Sequence, residues 1–292
     1  MRRRTAEGVA AVKTERLRSL AKQKLPERAQ NLLALLNRKQ RAWLPRRRFA
    51  FSNAPSTPQP SPYAFAVAPG NELERLGEKY RPTKRLHNYL PFYWLHFRDI
   101  RHAVKNVLEI GIQTDKSIRM WEEFFPNATI HGIDIEPGCK QFEGERRRMH
   151  VGDQSDRDFL ARVVEAADDP FDIVIDDGSH RVEHQLTTFD CLFPTLSEHG
   201  IYVVEDTGGC VGDPELATVG TLATLVDSIQ YWPINVRPSD WPRLSEFPDS
   251  ATWADRNVIG IAFYRWIVFV MRGRNPQDNP HLRPPRNGDE RP

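Results

Sequence analysis

Cysteine and long apolar runs are scarce in this 292-residue chain. The three cysteines, Cys139, Cys191 and Cys210, are an odd number and form no C-x-x-C pair, so neither a disulfide framework nor a zinc ribbon is expected. The longest apolar runs, near 32–36 and 259–270, are short or interrupted by charge, whereas a membrane-spanning helix needs roughly 20 mostly apolar residues. No apolar stretch of the signal-peptide kind follows the N-terminal arginines. We therefore expect a cytoplasmic protein without an integral membrane segment.

Charge is distributed unevenly, although the formal net charge is only +2. Residues 1–50 hold 15 Lys and Arg against three acids, a net charge of +12, and the remaining residues carry a net charge of −10. Leucines interleaved with the basic residues predict a partly helical basic arm. Three roles compete for this arm: a solvated tail, a helix lying peripherally on an anionic membrane or on a partner, and a nucleic-acid contact. Nucleic acid is not expected, because aromatic residues are sparse there and no known nucleic-acid motif appears.

Proline-rich segments delimit the predicted domain. Residues 51–69 contain five prolines, a density that is typical of an extended linker. Residues 276–292 are rich in Pro, Asn and Arg, and we expect them to form a disordered tail. The predicted domain therefore covers residues 70–275.

Short apolar runs alternate with segments of helical spacing from residue 105 onward. The predicted strands cover 106–112, 129–135, 148–151, 171–175 and 201–204, and the predicted helices cover 116–125, 156–167 and 182–196. This alternation predicts βαβ units and a parallel sheet covered on both faces. Two further runs, 257–264 and 266–271, lie too close together for a crossover and must form an antiparallel hairpin. The predicted fold class is α/β: a Rossmann-like methyltransferase fold whose parallel sheet ends in an antiparallel hairpin.

Polar residues follow the first three strands, where open α/β sheets bind their ligands. Glu109 and Gly111 end the first strand without a G-x-G-x-x-G fingerprint, and a glycine there lets the backbone pass close to a ligand. Asp134, after the second strand, is placed to accept hydrogen bonds from both hydroxyls of a ribose. Asp153 or Gln154, after the third, is placed to bind an adenine edge. The alternative for the glycine after the first strand is an ordinary turn.

Acid pairs follow the fourth and fifth strands: Asp176 with Asp177, and Glu205 with Asp206. Neighbouring parallel strands bring these four carboxylates together, and like charges so placed repel one another unless a cation compensates them. Oxygen ligands without cysteine favour Mg²⁺, or Mn²⁺ in its place. His180 follows closely and suits a general base at neutral pH. The alternative is that these residues are helix caps and solvated loop acids.

These strings resemble a known family. FDIVIDDGSH at 171–180 and GIYVVEDT at 200–207 resemble the metal-dependent sugar O-methyltransferases of macrolide biosynthesis (the mycinamicin type), the rhamnosyl O-methyltransferases and the cephalosporin-hydroxylase-like group. The similarity runs from Leu73 to Asn275. It includes the stretch 78–93, which is similar to a family segment built around T-D-K and H-x-Y, although this chain has Pro-Thr-Lys at 82–84.

The resemblance implies S-adenosylmethionine as methyl donor and Mg²⁺ as metal. It implies that the metal is held by Asp177, Glu205 and Asp206 and that His180 is the base. The predicted donor-binding residues, matched loosely by their positions after the strands, are Glu109, Gly111, Asp134, Asp153, Gln154 and Asp176.

The expected activity is methyl transfer to a hydroxyl, on a sugar of a glycosylated natural product or glycolipid. Tryptophans of the loop 232–253, namely Trp232, Trp241 and Trp253, are candidates for stacking on the acceptor, and His87 and Tyr89 for lining its pocket; ordinary packing is the alternative. The rival functions are a catechol-like O-methyltransferase, a hydroxylase using two histidines and one carboxylate, and a non-catalytic binding protein. The expected partners are a small-molecule hydroxyl acceptor, a membrane surface reached through residues 1–50, and a second copy of the chain.

Overall fold

The structure, a computed structural model, describes residues 70–207, 218–230 and 251–275. The predicted basic arm, linker and tail lie outside the described residues, as do Trp232 and Trp241 of the predicted acceptor loop. All described residues belong to one compact unit, 61–292. None of the helices in the described ranges has the length and apolar content that a bilayer-spanning segment requires.

A seven-stranded sheet carries the fold, in the order β3-β2-β1-β4-β5-β7-β6. The strands are β1 Asn106–Ile110, β2 Thr129–Asp134, β3 Arg147–Val151, β4 Ile173–Asp176, β5 Ile201–Val204, β6 Val258–Tyr264 and β7 Ile267–Arg272. Neighbours among β1 to β5 pair in parallel, whereas β7 pairs antiparallel with both β5 and β6. The predicted parallel sheet with a closing antiparallel hairpin is therefore confirmed.

Short helices connect and cover the strands. They are α1 Glu72–Tyr80, α2 Thr83–Leu86, α3 Leu90–Phe97, α4 Asp115–Phe124, α5 Arg157–Glu165, α6 Val182–Leu192, α7 Thr218–Ala223, α8 Val226–Ile229 and α9 Trp253–Asn257, with 3₁₀ turns at Pro137–Phe142 and Phe193–Thr195. Asp156 caps α5 as predicted, because its side chain accepts hydrogen bonds from the backbone of Asp158 and Phe159. The helix predicted to reach residue 196 ends at Leu192, before a 3₁₀ turn that contains Pro194.

Apolar cores lie on both faces of the sheet, since successive side chains of β1 enter different clusters. Val107 packs in the cluster that contains Trp121 of α4, and Leu108 packs in the one that contains Leu160 of α5. All residues of β1, β4 and β5 are buried. Strands buried on both faces form a rigid platform, so the loops at their carboxyl ends start from fixed positions.

Candidate active site

A cavity of about 650 Å³ lies along the carboxyl ends of β1, β2 and β4. Small-molecule sites occupy about 300–1,000 Å³, so the cavity has the size of a small-molecule site. Four of the predicted donor-binding residues line it, namely Gly111, Asp134, Asp153 and Gln154. The turns after three strands thus meet at one place, as the topology of an open α/β sheet requires.

Gly111 occupies a position that no other residue fits. Its φ is +86°, and a Cβ added to it would lie 2.1 Å from the backbone oxygen of Asp177. The turn after β1 therefore passes directly against the loop after β4, and this close approach joins the donor side of the site to the acid cluster.

Most of the hydrogen-bond acceptor positions of Asp134 are used by neighbouring backbone amides. Its Oδ2 accepts hydrogen bonds from the backbone amides of Ile112 at 3.0 Å and Gln113 at 2.9 Å, and its Oδ1 accepts one from Glu136 at 2.9 Å. Asp134 thereby holds the turn after β1 in shape beside the cavity. Its predicted contact with both ribose hydroxyls stays a prediction, and its two oxygens have little acceptor capacity left for that role.

Asp153 and Gln154 also brace local structure while they line the cavity. Asp153 accepts two hydrogen bonds from Ser155, and these bonds lower the pKa of its carboxyl. Gln154 accepts a hydrogen bond from the backbone amide of Ser179 at 2.7 Å and donates one to Asp176 at 3.2 Å. Gln154 therefore ties the loop after β3 to the loop after β4.

Two predicted donor-binding acids, Glu109 and Asp176, are fully buried and do not border the cavity. Asp176 accepts hydrogen bonds from Thr188 and Gln154, and its burial raises the pKa of its carboxyl. Glu109 faces Lys84 at 2.9 Å. Their contact with a donor stays a prediction; in the structure both carboxylates serve internal contacts.

Donor atoms of Asp177, His180 and Asp206 converge, all lying within 4.8 Å of one another. The Nε2 of His180 lies 3.7 Å from Oδ2 of Asp206. His180 and Asp206 both adopt left-handed backbone conformations, with φ of 57° and 51°. Such conformations are unfavourable for residues other than glycine and cluster at functional sites. The ends of β4 and β5 thus place two carboxylates and one imidazole around a common point.

Glu205, the third predicted metal ligand, is fully buried. Its Oε1 accepts a hydrogen bond from Tyr93 and lies 2.8 Å from the ammonium of Lys84, whereas its Oε2 has no hydrogen-bond partner among the described residues. Burial, with the charge of Asp177 added, raises the pKa of Glu205 to about 8. Glu205 is not one of the three residues whose donor atoms converge, so its ligand role, which the family resemblance implies, stays a prediction; its unpartnered Oε2 is the oxygen available for that role.

Lys84 of α2 is a site residue that sequence reasoning missed. Its ammonium lies 2.5 Å from Asp177, 2.8 Å from Glu205 and 2.9 Å from Glu109, and its side chain is 1% exposed. Burial alone would lower the pKa of Lys84, but the three carboxylates outweigh burial and raise it well above its usual value. The sequence signal that could have identified Lys84 was the match of Thr-Lys at 83–84 to the family segment built around T-D-K.

Two predicted pocket residues contact Asp206 from the connection between α2 and α3. Tyr89, which is buried, donates a hydrogen bond to Oδ1 of Asp206, and His87 lines the cavity with its Nδ1 3.5 Å from the same oxygen. His184 lines the cavity as well, but its Nδ1 lies 2.9 Å from Oγ of Ser179. Within the described ranges, the converging donor group contains a single histidine, which does not favour the two-histidine site of a hydroxylase.

Comparisons with known proteins show what this chain is similar to. No protein-family model matches the chain. The chain is 38% identical over 226 residues to mycinamicin VI 2''-O-methyltransferase of Micromonospora griseorubida, an alignment that covers 70% of this chain and 54% of that protein. It is 34% identical over 247 residues to 8-demethyl-8-(2-methoxy-alpha-L-rhamnosyl)-tetracenomycin-C 3'-O-methyltransferase of Streptomyces olivaceus, covering 77% of this chain and 60% of that protein.

A solved structure shares both the sequence and the fold. It is the MycE methyltransferase from the mycinamycin biosynthetic pathway in complex with Mg, SAH and mycinamycin VI, with a TM-score of 0.60 and 37% identity over 70% of this chain and 54% of that chain. The predicted resemblance and the predicted fold are therefore confirmed. The chain spans about half the length of the curated relatives that it matches.

Proposed function

We infer that this chain, a homologue of sugar O-methyltransferases from macrolide and tetracenomycin pathways, is itself a Mg²⁺-dependent O-methyltransferase. It takes the methyl group from S-adenosylmethionine and transfers it to a hydroxyl on a sugar of a glycosylated natural product or glycolipid. The observation that carries this proposal is the convergence of Asp177, His180 and Asp206 beside a cavity at the carboxyl ends of parallel strands.

A Mg²⁺ ion fits the donor set of this site. Mg²⁺ prefers oxygen ligands, and Asp177 and Asp206 offer carboxylates to a common point. The unpartnered Oε2 of Glu205 is a buried acceptor that a cation would satisfy. These three acids would hold the ion, which leaves the imidazole of His180 free for proton transfer. When bound, a divalent ion lowers the pKa of a coordinated hydroxyl.

His180 takes the proton in this mechanism. The acceptor hydroxyl loses its proton to Nε2 of His180, and the nearby carboxylate of Asp206 stabilises the imidazolium that forms. The hydroxyl oxygen then attacks the methyl carbon, and the carbon–sulfur bond breaks with its electron pair moving to sulfur. The products are a methyl ether and S-adenosylhomocysteine. The pocket supplies the rest of the rate acceleration by holding both reactants in line.

Two tyrosines fix the acids that this mechanism needs. Tyr89 donates to Asp206 and Tyr93 donates to Glu205. Each phenol leaves the second oxygen of its partner carboxylate available. Tyr89 and Tyr93 are therefore positioning residues that orient the ligand oxygens before a metal binds.

A direct assay tests the proposal. The full chain is incubated with labelled S-adenosylmethionine and three acceptors (a glycosylated macrolide, its aglycone and a catechol), with and without EDTA. We expect methylation of the glycoside, loss of activity with EDTA, and loss of activity in His180→Ala, whereas His199→Ala, an exposed histidine outside the cavity lining, keeps wild-type activity. Activity that survives both chelation and His180→Ala would contradict the mechanism, and methylation of the catechol alone would favour the catechol-like alternative.

We propose further that the protein is cytoplasmic, contacts anionic membranes peripherally through residues 1–50, and associates with a second copy of itself. The net charge of +12 on residues 1–50 supports the membrane contact. Sedimentation with anionic and neutral vesicles, for the full chain and for a chain that lacks residues 1–69, tests the contact, and light scattering gives the mass in solution. Equal sedimentation of both chains with anionic vesicles would contradict the role of the arm.

A further inference from the structure

Lys84 places a covalently tethered cation inside the acid cluster. Its single nitrogen lies within 3 Å of three carboxylate oxygens, which belong to Glu109 in β1, Asp177 after β4 and Glu205 after β5. The side chain is 1% exposed. An ammonium at this depth is stable only because these carboxylates surround it.

The carboxylates around Lys84 keep oxygens that no hydrogen-bond donor satisfies. Oε2 of Glu109 and Oε2 of Glu205 are buried and have no hydrogen-bond partner among the described residues. Buried carboxylates in proteins are normally paired or bound to metal, because leaving them unpaired is costly. The surroundings of Lys84 are therefore a cation site built from acids, and the ammonium fills it.

We propose that Lys84 takes the place of the second divalent cation of a two-metal site and thereby limits the centre to one metal ion. The inference rests on the proposed function, because it assumes that a metal binds to Asp177 and Asp206. Two-metal sites hold their ions about 3.5–4 Å apart. Asp177 joins the two positions: its carboxylate touches the ammonium and also belongs to the group of donor atoms that converges with His180 and Asp206.

The charges of the surrounding acids explain why a fixed monovalent ammonium suits the position of Lys84. Glu109, Asp177, Glu205 and Asp206 carry four negative charges when ionised, and Lys84 cancels one of them permanently. One divalent ion and the positive sulfonium of the donor cancel the other three, so the charges of these four acids are balanced. A second divalent ion in place of Lys84 would give the site an excess of positive charge and weaken the binding of a cationic donor.

Metal stoichiometry in lysine variants tests this inference, with Mn²⁺ as the probe. The wild-type chain, Lys84→Ala and Lys84→Met are dialysed against Mn²⁺, the bound metal is counted, and electron paramagnetic resonance spectra are recorded. We expect one ion in wild type and two in Lys84→Ala, with a spectrum broadened by coupling between neighbouring ions. Lys84→Met fills the same space without charge and should bind one ion. Lys140→Ala, at an exposed lysine paired with Glu143, is the control and should also bind one.

The outcomes separate the two proposals. One Mn²⁺ in Lys84→Ala, bound as in wild type, overturns the inference and leaves the proposed function intact. A wild-type chain that binds no Mn²⁺ overturns the metal-dependent function and the inference with it. Should Lys84→Ala be unfolded without metal, we expect Mn²⁺ to restore its circular dichroism at two ions per chain; failure of Mn²⁺ to restore it counts against the inference.

Discussion

The two halves of the sheet edge use their carboxylates differently: the donor half follows β2 and β3, and the acid half, with Asp177, Glu205 and Asp206, follows β4 and β5. After β2 and β3, Asp134 and Asp153 accept hydrogen bonds from backbone amides of nearby turns. These acids shape a cavity whose outline is set largely by backbone. A ligand there is recognised by the fit of the turns as much as by free polar groups, so single side-chain changes should affect donor binding modestly.

The acids after β4 and β5 depend instead on distant side chains. Asp177, Glu205 and Asp206 are held by Lys84, Tyr93 and Tyr89, all from the α2–α3 segment. Their free oxygens and the imidazole of His180 are arranged for a cation and a proton. The positions of these charges decide the chemistry in the acid half. Single substitutions there should therefore lower the catalytic activity strongly and the donor affinity only slightly.

The largest expected effect is the fall in kcat when the base His180 is removed from the acid half. His180→Asn keeps a residue that tolerates the left-handed backbone at φ 57° but cannot take a proton at neutral pH. We expect the kcat to fall about 10²–10⁴-fold, the usual contribution of a general base. Binding of S-adenosylhomocysteine, measured by calorimetry, should stay within about twofold, because the donor half is untouched. A large loss of donor binding with little loss of kcat would remove the distinction between the halves.

The contact between the two halves can be broken at Gly111. An alanine there would meet the backbone oxygen of Asp177 at 2.1 Å and would have to adopt a φ of +86°. We expect Gly111→Ala to lower the free energy of unfolding by about 2–4 kcal/mol, from overpacking and backbone strain together. Urea unfolding measures this loss. Gly138→Ala is the matched control, since its nearest neighbour atom would lie 3.9 Å away; equal stability of the two variants would contradict the proposed clash.

Strands β2 and β3 carry a pH-sensitive pair of histidines that does not line the cavity. His131 of β2 and His150 of β3 face each other with ring nitrogens 3.1 Å apart. Burial, with the charge of His150 added, lowers the pKa of His131 from 6.5 to about 4, and burial lowers the pKa of His150 too. The unfolded chain therefore binds more protons below pH 6.5, so this contribution to stability is complete above that pH and is lost as pH falls toward 4.

The loss from His131 should amount to at most about 3 kcal/mol. Urea unfolding at several pH values measures it. In His131→Gln the stability should fall less steeply between pH 6.5 and 4 than in wild type. Identical slopes in the two proteins would show that the histidine pair does not carry this pH dependence.

The sequence predicts a structural feature well when the interactions that produce the feature lie within a few residues. The strand at 201–204 and the cap at Asp156 were predicted correctly, because an apolar run and a capping side chain act within a few residues. The convergence of the β4 and β5 ends followed from parallel topology. The helices between residues 72 and 97 were not predicted. For α1 a local signal was present, the Asn71 cap followed by Leu73 and Leu76 on its buried side, whereas α2 has only four residues and shows no periodicity.

Lys84 could not be identified from its own surroundings in the sequence. A lysine is normally exposed, and the three carboxylates that bury this one come from β1, β4 and β5, at least 25 residues further along the chain. The predicted roles of Glu109 and Asp134 in donor binding likewise depend on contacts that the sequence does not show. Strand ends predict which residues reach the edge of the sheet, but hydrogen bonds to neighbours decide which oxygens remain for a ligand.

The smallest expected effect is that of a substitution at Asp134 in the donor half. Asp134→Asn replaces a carboxylate that accepts three backbone hydrogen bonds with an amide that offers one acceptor oxygen. We expect a loss of about 1–2 kcal/mol in unfolding free energy and an affinity for S-adenosylhomocysteine lower by about 3–10-fold, with Mn²⁺ stoichiometry unchanged. Glu136→Gln, which changes a neighbouring carboxyl that also lines the cavity, should leave all three quantities near wild type. A change in metal stoichiometry in Asp134→Asn would mean that the two halves are coupled through the turn at Gly111, and that the division of labour between them is less complete than the hydrogen bonds indicate.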